Sequence, residues 1–287
     1  MHQFPTTSFF FLFKFSLVVG LFSACGNSES QTLTNAPKVE EGIPSALKHA
    51  KWVFESDQGI FIQKGDESEA QLLVEGGRWP RLGPKGDVVA FLQGNKVSLM
   101  TLATRETKVL AETTKPKTLT LPSTGDEIWY SEGREMKAVK IDSGEIRSLV
   151  KDGEFLEVDA GPEGKTLIAT VKSLGFRVKW FDLSNNTSKT LDKGCSASLS
   201  PDGLLATNNV DGHKRLAILN VNDGSLKTSV LAPQGMHTDN QFWSNHADWI
   251  ASIDEDTGHI LAHRVSDGKV WKLSNKDGGD RPDLWIP

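Results

Sequence analysis

Beyond residue 50 the chain is a succession of short runs in which apolar and polar residues alternate, separated by Gly, Pro, Asp and Ser. "DVVAFL" (87–92) and "DWIASI" (248–253) each follow a turn. They are followed in turn by a second run, of which "KVSLMTL" (96–102), "EMKAVKI" (135–141), "RVKWFDL" (177–183), "RLAILNV" (215–221) and "HILAHRV" (259–265) are examples. Ser143-Gly144, Asp223-Gly224 and Asp267-Gly268 then mark hairpins into a third run. Asp-Gly is a strong hairpin signal because both turn residues tolerate positive φ. No apolar stripe of period 3.6 lasts long enough for a helix, so the pattern predicts an all-β chain.

The turns recur with a fixed stride. Gly86 in "LGPKGDVVAFL", Gly125 in "LPSTGDEIWYS", Gly164 in "AGPEGKTLIAT" and Gly203 in "LSPDGLLATN" are spaced 39 residues apart, and "WSNHADWIASI" continues the series with Ala247 in the glycine slot. Glycine supplies the left-handed conformation of a tight turn, and the proline two places earlier presets its own φ. Four short strands per stride of about 40 residues describe a propeller blade. The ends complete the array: residues 51–76 supply three runs with no inner strand before them, and "DRPDLWIP" at 280–287 reads as an inner strand with nothing after it. Pro282-Asp283-Leu284 matches Pro80-Arg81-Leu82. The expected fold is a six-bladed β-propeller closed by pairing of its N- and C-terminal strands, which leaves no long unpaired inner edge. Its blades are residues 49–76 with 280–287, then 77–117, 118–153, 154–193, 194–236 and 237–279.

The turn signature resembles that of the TolB-like propeller family, in which Ser, Pro, Asp and Gly precede an apolar strand. Ser200-Pro201-Asp202-Gly203 matches in full, Pro162-Glu163-Gly164 and Pro84-Lys85-Gly86 in part, and Trp243-Ser244-Asn245 in its first half. The resemblance spans most of residues 49–287 and implies the fold more than an activity, since the family includes periplasmic scaffolds, ligand-binding modules and domains fused to peptidases. Nothing in this chain matches the separate N-terminal α/β domain of TolB.

The first 25 residues read differently. A largely apolar run, 15–22, is too short to span a bilayer and suits the core of a signal peptide. Leu21-Phe22-Ser23-Ala24-Cys25 resembles a bacterial lipobox, departing from it at Phe22, with Lys14 as the single basic residue of the leader. Residues 1–24 are therefore expected to be a lipoprotein signal peptide. Cys25 would then be the lipidated first residue of the mature chain, and several buried acyl chains would give a stable anchor. The alternatives are a plain secretory signal and an uncleaved anchor. Gly26 after the cysteine points to the outer membrane. Residues 25–46 are polar and read as a tether, leaving 47–287 as the propeller.

Composition narrows the partners. Without residues 1–24 the chain carries 31 basic and 37 acidic residues, a mildly acidic balance that argues against a nucleic-acid partner, which would want a basic stripe. Cys195 is the only cysteine besides Cys25, so no disulfide framework is expected. Common catalytic signatures are missing: "GCSAS" (194–198) lacks the last glycine of a nucleophile elbow, and sialidase-type Ser-x-Asp-x-Gly-x-x-Trp turns do not occur. His259 and His263 lie on an expected strand, where four residues span about 13 Å, too far to share one ion. They are read as polar positions on an outer strand. Asp254 and Asp256 in "DEDTGH" begin like a calcium loop but lack its remaining ligands, and a hairpin turn accounts for them. No metal or cofactor is expected.

Aligned on the turn, the inner strands place Arg81, Thr120, Asp159, Ser198, Phe242 and Asp283 at one level and Trp79, Thr118, Glu157, Ser196, Asn240 and Arg281 two residues earlier. Strand alternation puts both sets on one side, toward the channel. Trp79, Arg81, Glu157, Asp159, Asn240, Phe242, Arg281 and Asp283 are thus the candidate channel-mouth residues. The function expected from them is non-catalytic binding or scaffolding of an envelope protein or small polar ligand, facing the periplasm. The alternatives are a propeller lyase or hydrolase acting on an envelope or extracellular polymer, with Asp159 and Glu157 as acid/base groups, and a surface-exposed lipoprotein that captures a small molecule.

Overall fold

The computed structural model describes residues 36–287; the expected signal peptide, Cys25 and the first half of the expected tether lie outside the described residues. Six antiparallel sheets stand around one axis, and the first blade is built from both ends of the chain. Its inner strand, Asp280–Trp285, pairs with Lys51–Ser56 in the register Lys51↔Trp285, Trp52↔Leu284 and Val53↔Asp283. Gly59–Lys64 and Gln71–Glu75 complete that sheet. The other blades follow in chain order within the expected boundaries. The fifth departs from four regular strands. Its inner segment forms no regular strand and faces Leu205–Val210 through the isolated bridges Cys195↔Asn209 and Leu199↔Ala206.

The turns set the geometry at one end of every inner strand. In the full motif the Gly203 N–H donates to the Ser200 carbonyl (2.8 Å), while the Ser200 hydroxyl donates to Asp202 (2.6 Å) and accepts from the Leu205 N–H (2.9 Å). Gly86 is required twice over: its φ is +64°, and a Cβ there would lie 2.5 Å from the Trp285 ring. Trp285 Nε1 in turn donates to the Pro84 carbonyl (2.9 Å), fastening the last strand to the second blade.

Each sheet is buried on both faces, so consecutive strand residues enter different cores. Val89 and Phe91 join Val53, Ile60 and Val74 between the first and second blades, whereas Ala90 and Leu92 join Ile128 and Tyr130 between the second and third. Six such clusters follow one another around the ring. Part of the polar stretch before the propeller is also built in. Val39–Glu40 pairs parallel with Val270 and Trp271 as an added outer strand of the sixth blade. Leu47 is fully buried in the cluster that closes the ring.

Candidate functional site

The level nearest the turns is an inter-blade clasp. The Asp283 carboxylate accepts the N–H of Leu82 (2.6 Å), Thr120 Oγ1 that of Ala160 (3.2 Å), Asp159 that of Leu199 (3.0 Å) and Ser198 Oγ that of Trp243 (2.8 Å). In every case the acceptor lies on one blade and the donor is the apolar packing residue of a following blade. The pattern arises because the inner strands converge on the axis, where their outermost N–H groups have no partner within their own sheet. Asp159 also accepts the hydroxyls of Ser198 (2.7 Å) and Thr120 (3.3 Å). Burial raises its pKa above the ordinary carboxylate value against those hydrogen bonds, and burial pushes Asp283 up to about 6 against the pull of Arg81.

Arg81 and Phe242 break this clasp. Neither is an acceptor; the Arg81 guanidinium lies over the Phe242 ring, 3.4 Å from its centroid. Arg81 is only 4% exposed. Its Nη1 donates to the Pro80 carbonyl (2.9 Å), while Nε and Nη2 are buried without a partner among the described residues. Burial lowers its pKa from the ordinary arginine value, opposed by Asp283 and then Asp159.

The level two residues earlier does not follow simple alternation. Trp79 (φ 53°), Ser196 (58°), Asn240 (47°) and Arg281 (48°) adopt left-handed backbone, and the ladders skip register between Arg78 and Arg81 and between Asp239 and Phe242. These bulges re-aim the side chains. Trp79 meets Phe242 edge-on, with centroids 6.2 Å apart, and also faces the guanidinium of Arg281 at 4.6 Å. Arg281 pairs with Asp280 and with Glu55 (3.2 Å). Asn240 donates to Asp280 (2.6 Å), and the Ser196 hydroxyl to Asp239 (2.6 Å). Thr118 is fully buried. Burial, reinforced by Asp239, raises Glu157 to about 6.

The expected single mouth is therefore two. A cavity of about 330 Å³ on the turn side is lined by Arg81, Asp159, Asp283 and Trp243 among others. A second, of about 250 Å³, is lined by Arg78, Trp79, Lys117, Leu156, Glu157 and Arg281. They share no lining residue; Arg81 lines the first and Trp79 the second, and Phe242 touches both side chains. Asp159 lines the first cavity and Glu157 the second.

Three site residues escaped the strand alignment. Glu55 lies on the second strand of its blade, outside the aligned positions, and accepts the Trp79 N–H (2.9 Å). Asp239 and Asp280 each precede a left-handed residue, a local signal visible in "DN" and "DR". The two histidines also differ from expectation. His263 is buried, with Nε2 2.7 Å from Ser252 Oγ, whereas His259 pairs with Asp277 (2.8 Å). Asp254 closes a hairpin, its carbonyl accepting the Gly258 N–H (2.7 Å). Elsewhere His213 Nδ1 lies 2.9 Å from Glu255.

No family model matches the sequence, and no curated protein matches it. Solved structures do. TolB from Acinetobacter baumannii superposes with a TM-score of 0.68 at 16% identity, covering 84% of this chain and 68% of that one. The fold is that of a TolB-like propeller. A chain of a nidogen/laminin complex superposes with the same TM-score at 11% identity, covering 82% of this chain and 98% of that one. A Kuenenia stuttgartiensis hydrazine synthase chain gives 0.52 at 13% identity, covering 71% and 67%. At these identities the likeness is one of fold, and activity has to be argued from the site.

Proposed function

We propose that this TolB-like propeller is a non-catalytic binding or scaffolding module of the bacterial envelope, tethered to the membrane through a lipidated Cys25 and facing the periplasm. Its partner is an envelope protein or small polar ligand, received at the turn-side mouth. The observation that carries this reading is the turn-side cavity of about 330 Å³, which brings the charged groups of Arg81, Asp159 and Asp283 together. Leu82, Leu121, Leu199 and Leu284 contribute apolar walls. Concave sites with a few convergent polar groups are where ligands bind. The engagement of Asp159 and Asp283 as inter-blade acceptors also favours a rigid receptor over acid/base turnover. The nidogen neighbour comes from a protein–protein complex, a use of the fold that agrees with this role.

Photocrosslinking side chains placed at Ser123 and Ser244, which line the turn-side cavity, and at Leu156, in the second cavity, test the reading in intact cells. Adducts from Ser123 and Ser244 but not from Leu156 are expected. Adducts from Leu156 alone would reverse the face, and none from any position would remove the binding role. For the anchor, Cys25→Ser is expected to release the protein from the membrane fraction. Unchanged retention would refute lipidation.

A further inference from the structure

We infer that Arg81 is a receptor for a singly charged carboxylate carried on an apolar body and presented at the turn-side mouth, an inference that rests on reading that mouth as the binding surface. The argument begins with which donors are left over. On a guanidinium, Nε–H and one hydrogen of Nη2 point the same way and form the side-on fork that a planar carboxylate accepts with both oxygens. Those two nitrogens are the ones buried without a partner, whereas Nη1, on the other edge, is held by the Pro80 carbonyl. A buried donor left without an acceptor is costly, and more so when charged, so two on one edge mark a place where an acceptor is missing.

The surroundings select the guest. Phe242 covers the guanidinium face at 3.4 Å, so the fork is approached along its edge and not from above. Arg81 lines the turn-side cavity, which leads outward between Leu82, Leu121, Leu199 and Leu284. An apolar body next to the carboxylate would pack against these residues. Asp159 and Asp283 line the same recess. Both already accept backbone N–H groups. Their negative charge opposes a dianion more than a monoanion, which favours a carboxylate over phosphate. Within the clasp Thr120, Asp159, Ser198 and Asp283 tie blades together by hydrogen bonds, whereas Arg81 makes no such bond across the channel, meets Phe242 through the ring face alone, and lines the cavity.

Ligand-observed NMR titration of the detergent-solubilised full-length protein tests this with N-acetyl-leucine, N-acetyl-leucinamide and inorganic phosphate at pH 7.5. Saturable binding of N-acetyl-leucine is expected, with the amide and phosphate each at least tenfold weaker. Arg81→Lys, which keeps the charge but not the fork, should weaken the carboxylate at least tenfold. Equal binding of acid and amide, phosphate binding as tightly as the carboxylate, no binding of the acid, or an unchanged affinity in a folded Arg81→Lys protein would each overturn the inference. If that variant fails to fold, the acid–amide comparison on the wild type still decides. Failure of the probes with adducts at Ser123 and Ser244 intact would remove the carboxylate receptor and leave the binding surface standing. Probe binding without adducts would do the reverse.

Discussion

His263 should make the sixth blade sensitive to acid. The imidazole is 0% exposed, on a strand whose neighbours place Ile250 and Val270 beside it. Nε2 lies 2.7 Å from Ser252 Oγ, and Nδ1 is buried without a partner among the described residues. Burial alone lowers its pKa from 6.5 to about 4. Between those values the unfolded chain takes up a proton that the folded chain refuses, so stability is lost as pH falls from 6.5 toward 4. A shift of that size corresponds to about 3 kcal/mol across the window. Glu157 and Asp283, both raised to about 6, act in the opposite sense: the folded chain holds their protons longer, and their destabilising charge at pH 7 is relieved on acidification. Neither contributes to the His263 shift, so both cancel in a comparison of variants. The double variant Ser252→Ala/His263→Leu removes the titrating ring together with its hydrogen-bond partner, leaving no orphaned hydroxyl. Urea unfolding followed by tryptophan fluorescence at pH 7.5, 6, 5 and 4 should show the variant losing about 3 kcal/mol less than the wild type over that range. Parallel pH profiles, within about 0.5 kcal/mol by the usual precision of such extrapolations, would refute the reasoning.

Three further outcomes follow from the same physics. Asp159→Ala leaves the buried Leu199 N–H without its acceptor and should cost about 1–3 kcal/mol in denaturant unfolding; an unchanged midpoint would dismiss the clasp as a stabilising feature. Leu47→Ala opens a cavity in the cluster that joins the sixth blade to the first, with an expected loss of about 2–5 kcal/mol; a loss under about 0.5 kcal/mol would make the segment a mere tether. Gly86→Ala drives a methyl into the Trp285 ring at a residue with φ +64°. It should lower the thermal midpoint by an amount equivalent to at least about 1 kcal/mol, and an unchanged midpoint would contradict the fastening of the last strand.

The ring itself was legible in the chain because its causes are local. A glycine every 39 residues, Pro-Asp-Gly chemistry and period-two alternation each act over a few residues, and repetition multiplies them until only radial sheets accommodate the stride. The pairing of 280–285 with the first blade was readable for the same reason, from the match between Pro282-Asp283-Leu284 and Pro80-Arg81-Leu82. Alternation failed where the backbone turns left-handed at Trp79, Ser196, Asn240 and Arg281. That conformation is unfavourable for these residues taken alone and is held by contacts from elsewhere, such as Glu55 on the Trp79 N–H. The burial of Leu47 likewise depended on residues of two blades, among them Phe54 and Trp249. Whether a charged side chain ties two blades together or lines a cavity with unused donors was decided only in three dimensions, because the groups that settle it come from strands about 40 or more residues apart and meet only at the axis.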